Sequence, residues 1–190
     1  MRHSDLYVST VVNYIAKRRK EQRFLEGTYG TIQIENKRGG FPMKSIIICA
    51  STHHGNTRKV VDAIAEKFGV EVVDSTVVTA KDLSDYDLIG FASGIYAANF
   101  HPSIQRFAES NLPKDKKIFY IMTSAMDKDF SKSMAGSIAG KNAECLGAFS
   151  CKGYNTFGPF KLVGGTAKGR PNEEDLAAAC KFYEDIVAKL

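Results

Sequence analysis

The sequence has no long apolar run. Its 190 residues are 44% hydrophobic, yet no stretch approaches the roughly 20 apolar residues that a membrane-spanning helix needs. The segment that begins at Met1 lacks the apolar centre and the small-residue cleavage site of a signal peptide. We therefore expect a cytoplasmic protein with one globular core and a small appendage, and no transmembrane segment.

Tryptophan is absent and cysteine is scarce. The four cysteines are far apart, form no C-x-x-C pair and lie mostly within apolar runs. This pattern favours buried reduced thiols over disulfides or zinc ligands. The four residues are Cys49, Cys145, Cys151 and Cys180.

The chain has little excess charge outside its first 42 residues. The whole sequence carries 26 Lys and Arg against 21 Asp and Glu, a formal net charge of +5. Residues 1–42 hold eight of the basic and four of the acidic residues, so residues 43–190 carry only +1. Nucleic-acid binding calls for a dominant basic face. The composition therefore predicts no nucleic-acid partner.

The sequence pattern changes at Met43. Before it, a short apolar stretch is followed by the basic run 17–20, whereas regular patterning begins after it. One hypothesis makes residues 6–24 a basic amphipathic helix that touches an anionic membrane or an acidic partner. The preferred interpretation is that Met43 is the true initiator, because it leads straight into a predicted strand. We therefore divide the chain into an extension, 1–42, that is an upstream-start artefact or disordered, and one domain, 43–190.

Short apolar runs alternate with helical periodicity from Met43 onward. Strands that are buried on both faces are apolar throughout their length. Their alternation with helices predicts an α/β fold, in which a parallel sheet is covered on both faces. The predicted strands are 45–50, 70–74, 87–93, 117–124 and 145–151, and the predicted helices are 57–68, 103–111, 130–141 and 172–190.

A polar loop follows the first predicted strand and opens directly into a helix. In such sheets ligands bind beyond the carboxyl ends of the strands. The N–H groups at a helix start have no intrahelical partner and carry partial positive charge, so they can bind a phosphate. Gly55 permits a close approach or a positive φ, and the hydroxyls of Thr52 and Thr57 add donors. The loop, which suits a monoester phosphate, consists of Ser51, Thr52, His53, His54, Gly55, Asn56 and Thr57.

Other interpretations of this loop have less support. Neither the dinucleotide motif G-x-G-x-x-G nor the P-loop G-x-x-x-x-G-K-[ST] occurs in the loop. Adjacent residues such as His53 and His54 rarely converge on one ion, and no nearby Cys, Asp or Glu completes a ligand set, so no metal is predicted. One interpretation is that the two rings cap the loop or lie in solvent, and the other is that His54 donates to the phosphate.

The loop resembles a known phosphate-binding motif. The letters T-H-H-G-N-T at 52–57, after a buried strand, resemble the T/S-x-T-G-x-T loop of flavodoxins. The resemblance extends over residues 43–190 and implies a three-layer α/β/α sandwich with a five-stranded parallel sheet in the order 2-1-3-4-5, and FMN as the cofactor. Two features depart from the family: His54 replaces a hydroxyl residue, and Cys49-Ala50 replace the commoner aromatic residue before the loop.

The resemblance also implies which loops hold the isoalloxazine ring. An aromatic face on the flavin shields it from water and lowers its potential. Tyr96 is the first candidate and Phe100 the second, because the chain offers no tryptophan; either ring could instead pack in the core. A looser match places small polar groups after strand 117–124 at the pyrimidine edge. The residues assigned to these loops are Ser93, Gly94, Ile95, Tyr96 and Phe100, and Thr123, Ser124, Ala125 and Met126.

Three functions fit these residues. The preferred one is an FMN-binding electron-transfer protein, whose redox partner proteins meet the flavin rim and which needs no catalytic side chain. The second is an FMN-dependent oxidoreductase that acts on a small quinone or protoporphyrinogen-like substrate. Ordinary flavodoxins are strongly acidic, and the near-neutral charge of this domain gives the second hypothesis some support. The third is a flavin-free binding module. The oligomeric state stays open.

Overall fold

The computed structural model of the chain describes residues 43–158 and 164–190. The extension 1–42, with both of its interpretations, lies outside the described residues. The described part contains six strands, three α-helices and one short 3-10 helix, Ser131–Met134. In chain order the strands and α-helices are β1 (Ser45–Ala50), α1 (Asn56–Phe68), β2 (Glu71–Asp74), β3 (Leu88–Tyr96), β4 (Asn99–Phe100), α2 (Pro102–Asn111), β5 (Lys117–Ser124), β6 (Glu144–Lys152) and α3 (Glu173–Val187).

Five of the strands form a parallel sheet. Its order is β2-β1-β3-β5-β6, and the two-residue β4 pairs antiparallel with the end of β3. With β4 set aside, this is the predicted order 2-1-3-4-5, and the predicted fold class is confirmed. After β1 the chain forms β2 on one side of β1, and it then crosses back to form β3 on the other side of β1. The carboxyl ends of β1 and β3 therefore form the crevice in which doubly wound sheets bind ligands.

Both faces of the sheet are buried, which explains why β1 is apolar throughout. Successive side chains of a strand point to opposite faces. Ile46 and Ile48 belong to the core cluster shared with α2, whereas Ile47 and Cys49 belong to the cluster shared with α1 and α3. The helices thus form two outer layers around the sheet.

The ends of the helices follow familiar capping rules. Gly55 precedes α1 with a φ of +67°, and Gly69 ends it in the left-handed conformation, donating its N–H to the Ala65 carbonyl. At the start of α3, Asn172 and Asp175 form a reciprocal capping box. These caps fix where α1 ends and where α3 begins.

The predicted helix over 130–141 is wrong. In its place are the 3-10 helix and a series of turns. Met134 and Ile138 have helical spacing and pack in or against the core. Serine hydroxyls in this segment bond instead to nearby groups, as in the hydrogen bond from the Ser133 hydroxyl to the Phe130 carbonyl (2.9 Å). Such bonds compete with helix formation, and Gly140, with a φ of +73°, ends the segment in a turn.

All four cysteines are free. Cys49, Cys151 and Cys180 are buried as expected, and burial raises the pKa of the Cys49 and Cys151 thiols to about 12. Cys145 is exposed, because it lies near the start of the edge strand β6, and so departs from the prediction. In the described part of the chain, no helix is both long and apolar enough to cross a membrane.

Candidate functional site

A cavity of about 340 Å³ lies at the carboxyl edge of the sheet. Its volume falls within the ~300–1,000 Å³ typical of small-molecule sites. The loops after β1, β3 and β5 supply three walls, and the segment after β6 supplies a fourth. The lining residues are Ser51, His53, Asn56, Thr57, Gly94, Ile95, Tyr96, Ala97, Thr123, Ser124, Ala125, Gly153, Tyr154, Asn155 and Phe157. Three of the predicted loops thus meet at one place.

The loop after β1 presents polar groups at the start of α1. His54 and Gly55 both have positive φ, +55° and +67°, which turns the chain sharply into the helix. The Arg58 N–H donates to the Ser51 hydroxyl (3.1 Å), and the first turn of α1 contains no acidic residue. No carboxylate of this turn therefore opposes an anion at the helix start.

Two buried hydroxyls join this loop to β5. Thr57 Oγ1 and Thr123 Oγ1 are 2.7 Å apart, and both side chains are buried at the base of the cavity. One hydroxyl donates to the other, so the pair keeps one O–H donor for a ligand. The arrangement sets the spacing between the loop after β1 and the loop after β5.

Tyr96 reaches across the cavity toward the loop after β1. Its hydroxyl is 2.6 Å from Thr52 Oγ1. A Cβ at position 94 would lie 3.0 Å from the same hydroxyl, so Gly94 leaves room for the ring. The imidazoles of His53 and His101 flank the Tyr96 ring, with centroids at 5.6 and 5.5 Å. The Tyr96 ring therefore forms part of the cavity wall and contacts the loop after β1.

The sequence prediction assigned no cofactor-binding residue to the fourth wall. We call residues 153–156 and 164–170 the clasp. Asn155 and Thr166 exchange two main-chain hydrogen bonds of 3.1 and 2.8 Å, and the Tyr154 N–H donates to the Arg170 carbonyl (3.0 Å). The Tyr154 hydroxyl donates to the Gly164 carbonyl (3.2 Å). These bonds hold the Tyr154 ring beside the cavity.

The clasp also braces the loop after β1. The Asn56 side-chain amide donates to the Tyr154 carbonyl (2.8 Å), and the His54 ring packs against the Tyr154 ring with centroids 4.6 Å apart. His54 Nε2 is 3.0 Å from Thr156 Oγ1. A Cβ at position 153 would lie 2.8 Å from the Asn56 amide nitrogen, so only glycine fits there without displacing it.

Six predicted residues lie outside the cavity lining. Three of them belong to the adjoining loop. There Thr52 contacts Tyr96, His54 contacts the clasp, and Gly55 forms the turn. Buried Ser93 accepts from the His101 N–H (2.9 Å) and donates to the Gly94 carbonyl (2.5 Å). Met126 is 62% exposed, and its carbonyl accepts from the Ser124 hydroxyl.

Phe100 is corrected from a ring-contact candidate to a core residue. It is fully buried and packs edge-on against Tyr120, with centroids 5.6 Å apart. The reason is the tight turn at Ala97 and Ala98, which both have positive φ. The turn folds β4 back onto β3, pairs Phe100 with Ile95 and directs the chain away from the cavity.

Among the described residues, the cavity lining contains no Asp, Glu, Lys or Arg. Among residues 43–158 and 164–190, no group of three or more His, Cys, Asp or Glu is placed to hold a metal. The Arg170 guanidinium bonds to Asp175 at the start of α3. Arg170 therefore acts within the clasp and not in the cavity lining.

Comparison with known proteins matches this architecture. A family model described as a flavodoxin domain matches residues 47–157. That range covers more than half of the chain and includes the loops after β1, β3 and β5. The chain belongs to the flavodoxin domain family.

Individual relatives match this chain over almost their whole length. An uncharacterized protein of Methanocaldococcus jannaschii is 38% identical over 148 residues, which span 76% of this chain and 99% of the relative. Flavodoxin 2 of Bacillus cereus is similar in structure, with a TM-score of 0.56, 16% identity, and 77% and 99% of the two chains covered. A flavodoxin of Streptococcus pneumoniae gives a TM-score of 0.53, 20% identity and the same coverages. At these identities the two structures support the fold alone.

Proposed function

We propose that this flavodoxin domain binds FMN in the cavity and transfers electrons through it. The observation that carries the proposal is the convergence of a phosphate-type loop with two further strand-end loops and a tyrosine on one cavity. FMN is a planar ring with a chain ending in a monoester phosphate, so it needs both an anion site and an aromatic slot. When bound, it supplies one- and two-electron redox chemistry that no side chain provides.

The loop after β1 fits a phosphate. No main-chain hydrogen bond from the N–H of Gly55 or Thr57 occurs within the described part of the chain, so these groups are free to donate. Asn56 and Thr57 add polar side chains at the same point of the lining. Gly55 turns the chain with a positive φ, and the space that its Cβ would occupy is open, with no atom within 4 Å.

The remaining walls fit a flat ring system. Tyr96 and Tyr154 line the cavity from opposite loops, and Ile95, Ala97 and Ala125 add small or apolar surface. Thr123 and Ser124 supply hydroxyls at the end of β5 for the polar edge of such a ring. In this proposal Tyr96 contacts the isoalloxazine ring and shields it from water.

Electron transfer to redox partner proteins is the favoured role. In that role the protein's own side chains hold the cofactor and exclude water, and none of them has to react. The domain 43–190 has a formal charge of only +1. Association with partners would therefore depend little on long-range charge steering.

One observation favours the alternative, an FMN-dependent oxidoreductase. Phe157 is 76% exposed although it lines the cavity, so it offers an aromatic landing surface for a small planar substrate of the quinone or protoporphyrinogen type. Reduction of bound flavin by NAD(P)H without an added reductase would support the enzyme. Reduction only through a separate reductase would support the carrier.

The first experiment is reconstitution of the full chain with FMN, removal of free flavin and a visible absorption spectrum. We expect stoichiometric retention of oxidised flavin. A colourless protein would contradict FMN binding and leave the flavin-free module.

A matched pair of glycine variants then tests the loop. Gly55 and Gly69 have nearly the same left-handed φ, +67° and +69°, and both have open space where a Cβ would lie. Gly55→Val and Gly69→Val should therefore cost similar strain, about 1–3 kcal/mol, at opposite ends of α1. Gly55→Val should lose FMN, whereas Gly69→Val should retain it. Equal FMN affinity in the two variants would refute the loop assignment.

A further inference from the structure

Tyr96 is the last residue of β3, and its ring forms part of the cavity wall. A tight hairpin fixes its main chain, because Tyr96 pairs with Asn99 of β4 across the turn 97–98. The Asn99 side-chain amide donates to the Ala97 carbonyl (2.8 Å) and braces the same turn. The backbone position of Tyr96 is therefore set locally, whereas its side-chain torsions depend on what the ring and the hydroxyl meet.

Neighbouring side chains contact the Tyr96 phenol at its sides and at its tip. The imidazoles of His53 and His101 lie at its sides, with ring centroids 5.6 and 5.5 Å away. At the tip, the Tyr96 hydroxyl is 2.6 Å from Thr52 Oγ1. Within residues 43–158 and 164–190, that hydroxyl has no second hydrogen-bond partner. Thr52 is therefore the polar contact that fixes where the hydroxyl end of the ring lies.

Thr52 itself does not line the cavity. It is an exposed residue of the loop after β1, and β1 lies next to β3 in the sheet. Its hydrogen bond to Tyr96 therefore joins the two loops that flank the crevice between these strands. The sequence predicted the Thr52 hydroxyl as a donor to the phosphate, whereas the short distance to Tyr96 gives it a partner in the ring wall.

We infer that Thr52 is a positioning residue, which holds the Tyr96 ring in the orientation that contacts the isoalloxazine ring of FMN. The inference rests on the proposed function, because it concerns the same site. Without the Thr52 hydroxyl, the Tyr96 side chain would be free to rotate, and FMN would have to order it on binding. The cost of ordering one such side chain weakens binding about twofold to tenfold. Thr52 thus supports the ring end of the ligand, although it lies in the loop assigned to the phosphate.

Three substitutions in the full chain test the inference by isothermal titration calorimetry with FMN. Thr52→Val keeps the shape of the side chain and removes its hydroxyl, so FMN binding should weaken about twofold to tenfold. Thr52→Ser retains a hydroxyl and should restore most of the lost affinity. Thr76→Val is the matched control, because the Thr76 hydroxyl bonds to Asp74 (2.6 Å) in the loop after β2 and does not line the cavity. It should bind FMN as the wild type does.

The fluorescence of bound FMN reports the ring contact separately from the phosphate contact. A tyrosine ring that touches a flavin quenches its emission by electron transfer, and a hydroxyl that touches only the phosphate does not. With the protein saturated with FMN, Thr52→Val should therefore raise the emission per bound flavin. Thr52→Ser and Thr76→Val should keep the quenching of the wild type.

A double-mutant cycle with Tyr96→Phe completes the test. Tyr96→Phe removes the same hydrogen bond from its other side, so adding Thr52→Val to it should weaken FMN binding no further. A full additional loss in the double variant, or weaker binding by Thr52→Val with unchanged emission, would assign the hydroxyl to the phosphate and overturn the inference while FMN binding stood. Unchanged affinity and emission in Thr52→Val would overturn it as well. Failure of the wild type to bind FMN would instead overturn the proposed function.

Discussion

His101 caps α2 with an imidazole. Its Nδ1 accepts the Ser103 N–H at 3.2 Å and is 2.8 Å from the Ser103 hydroxyl. The Ser103 hydroxyl is in turn hydrogen-bonded to the Ser75 hydroxyl, with the two oxygens 2.8 Å apart, and both are buried. Burial lowers the pKa of His101, and the Arg106 charge adds to the effect. The native state therefore prefers the neutral ring with an unprotonated Nδ1.

This cap predicts a pH dependence of stability. A histidine whose pKa is lowered in the native state contributes its full stabilisation of the fold above its unfolded pKa, about 6.5. The contribution is lost as the pH falls below that value, because the unfolded chain binds the proton more readily. His101→Asn retains a capping oxygen but cannot titrate, so its free energy of unfolding should decline less than that of the wild type between about pH 7 and 5.5. Urea unfolding across this range measures the difference.

His53→Asn serves as the control for that series, since it removes an exposed imidazole that caps no helix. It should keep the wild-type decline on the acid side. Parallel pH profiles for His101→Asn and the wild type would show that the cap does not titrate in this range.

Residue identities indicated which loops line the cavity better than they indicated where single side chains point. The loop 51–57 was recognisable as the turn into α1, because a sharp turn of this kind favours small, polar and flexible residues. Which of two adjacent imidazoles enters the cavity depends on the φ of His54 and on the distant Tyr154, which no local pattern encodes. The ring-contact prediction for Phe100 was wrong for a similar reason, because the turn at Ala97 and Ala98 decides where the Phe100 side chain points.

Within β3, Gly90 is required by the neighbouring strand. A Cβ there would lie 2.4 Å from the Phe119 ring. That ring packs against Phe182 and Tyr183 of α3, with centroids at 6.3 and 5.7 Å, so it cannot easily retreat. Gly90→Ala should lower the free energy of unfolding by about 1–3 kcal/mol, the usual cost of overpacking.

Gly136→Ala is the matched control, because a Cβ at position 136 meets nothing within 4 Å. Its free energy of unfolding, measured by urea titration, should stay close to that of the wild type. If both variants lost the same stability, the clash with Phe119 would not be the cause.

Whole elements were predictable where local pattern and packing agree. The strands and their order follow from apolar runs buried on two faces and from the alternation with helices. The segment 130–141 had helical spacing at Met134 and Ile138, but side-chain hydrogen bonds and glycines favoured turns. No cofactor-binding residue was predicted in the clasp, because the pairing of Asn155 with Thr166 spans a loop. Even so, the rule that ligands bind at strand ends applies to β6 as well, and it places Gly153 and Tyr154 at the same edge of the sheet.

Over the whole molecule, the cavity joins segments that are far apart in sequence. Its walls come from the ends of β1, β3 and β5 and from the clasp. Only the folded chain brings these walls together. A ligand that fills the cavity therefore binds the native state and not the unfolded one, and it must stabilise the entire domain.

This linkage gives a prediction for thermal unfolding. At FMN concentrations about 100 times the dissociation constant, the free energy of unfolding should rise by about 2.7 kcal/mol. For a domain of this size each kcal/mol raises Tm by roughly 2–4 °C, so we expect an increase of about 5–10 °C. Gly55→Val should show no increase at the same FMN concentration. Gly69→Val should begin from a similarly lowered Tm and still gain the full increase, because its strain lies at the far end of α1. Equal increases in the two variants would mean that FMN stabilises the fold without using the loop after β1.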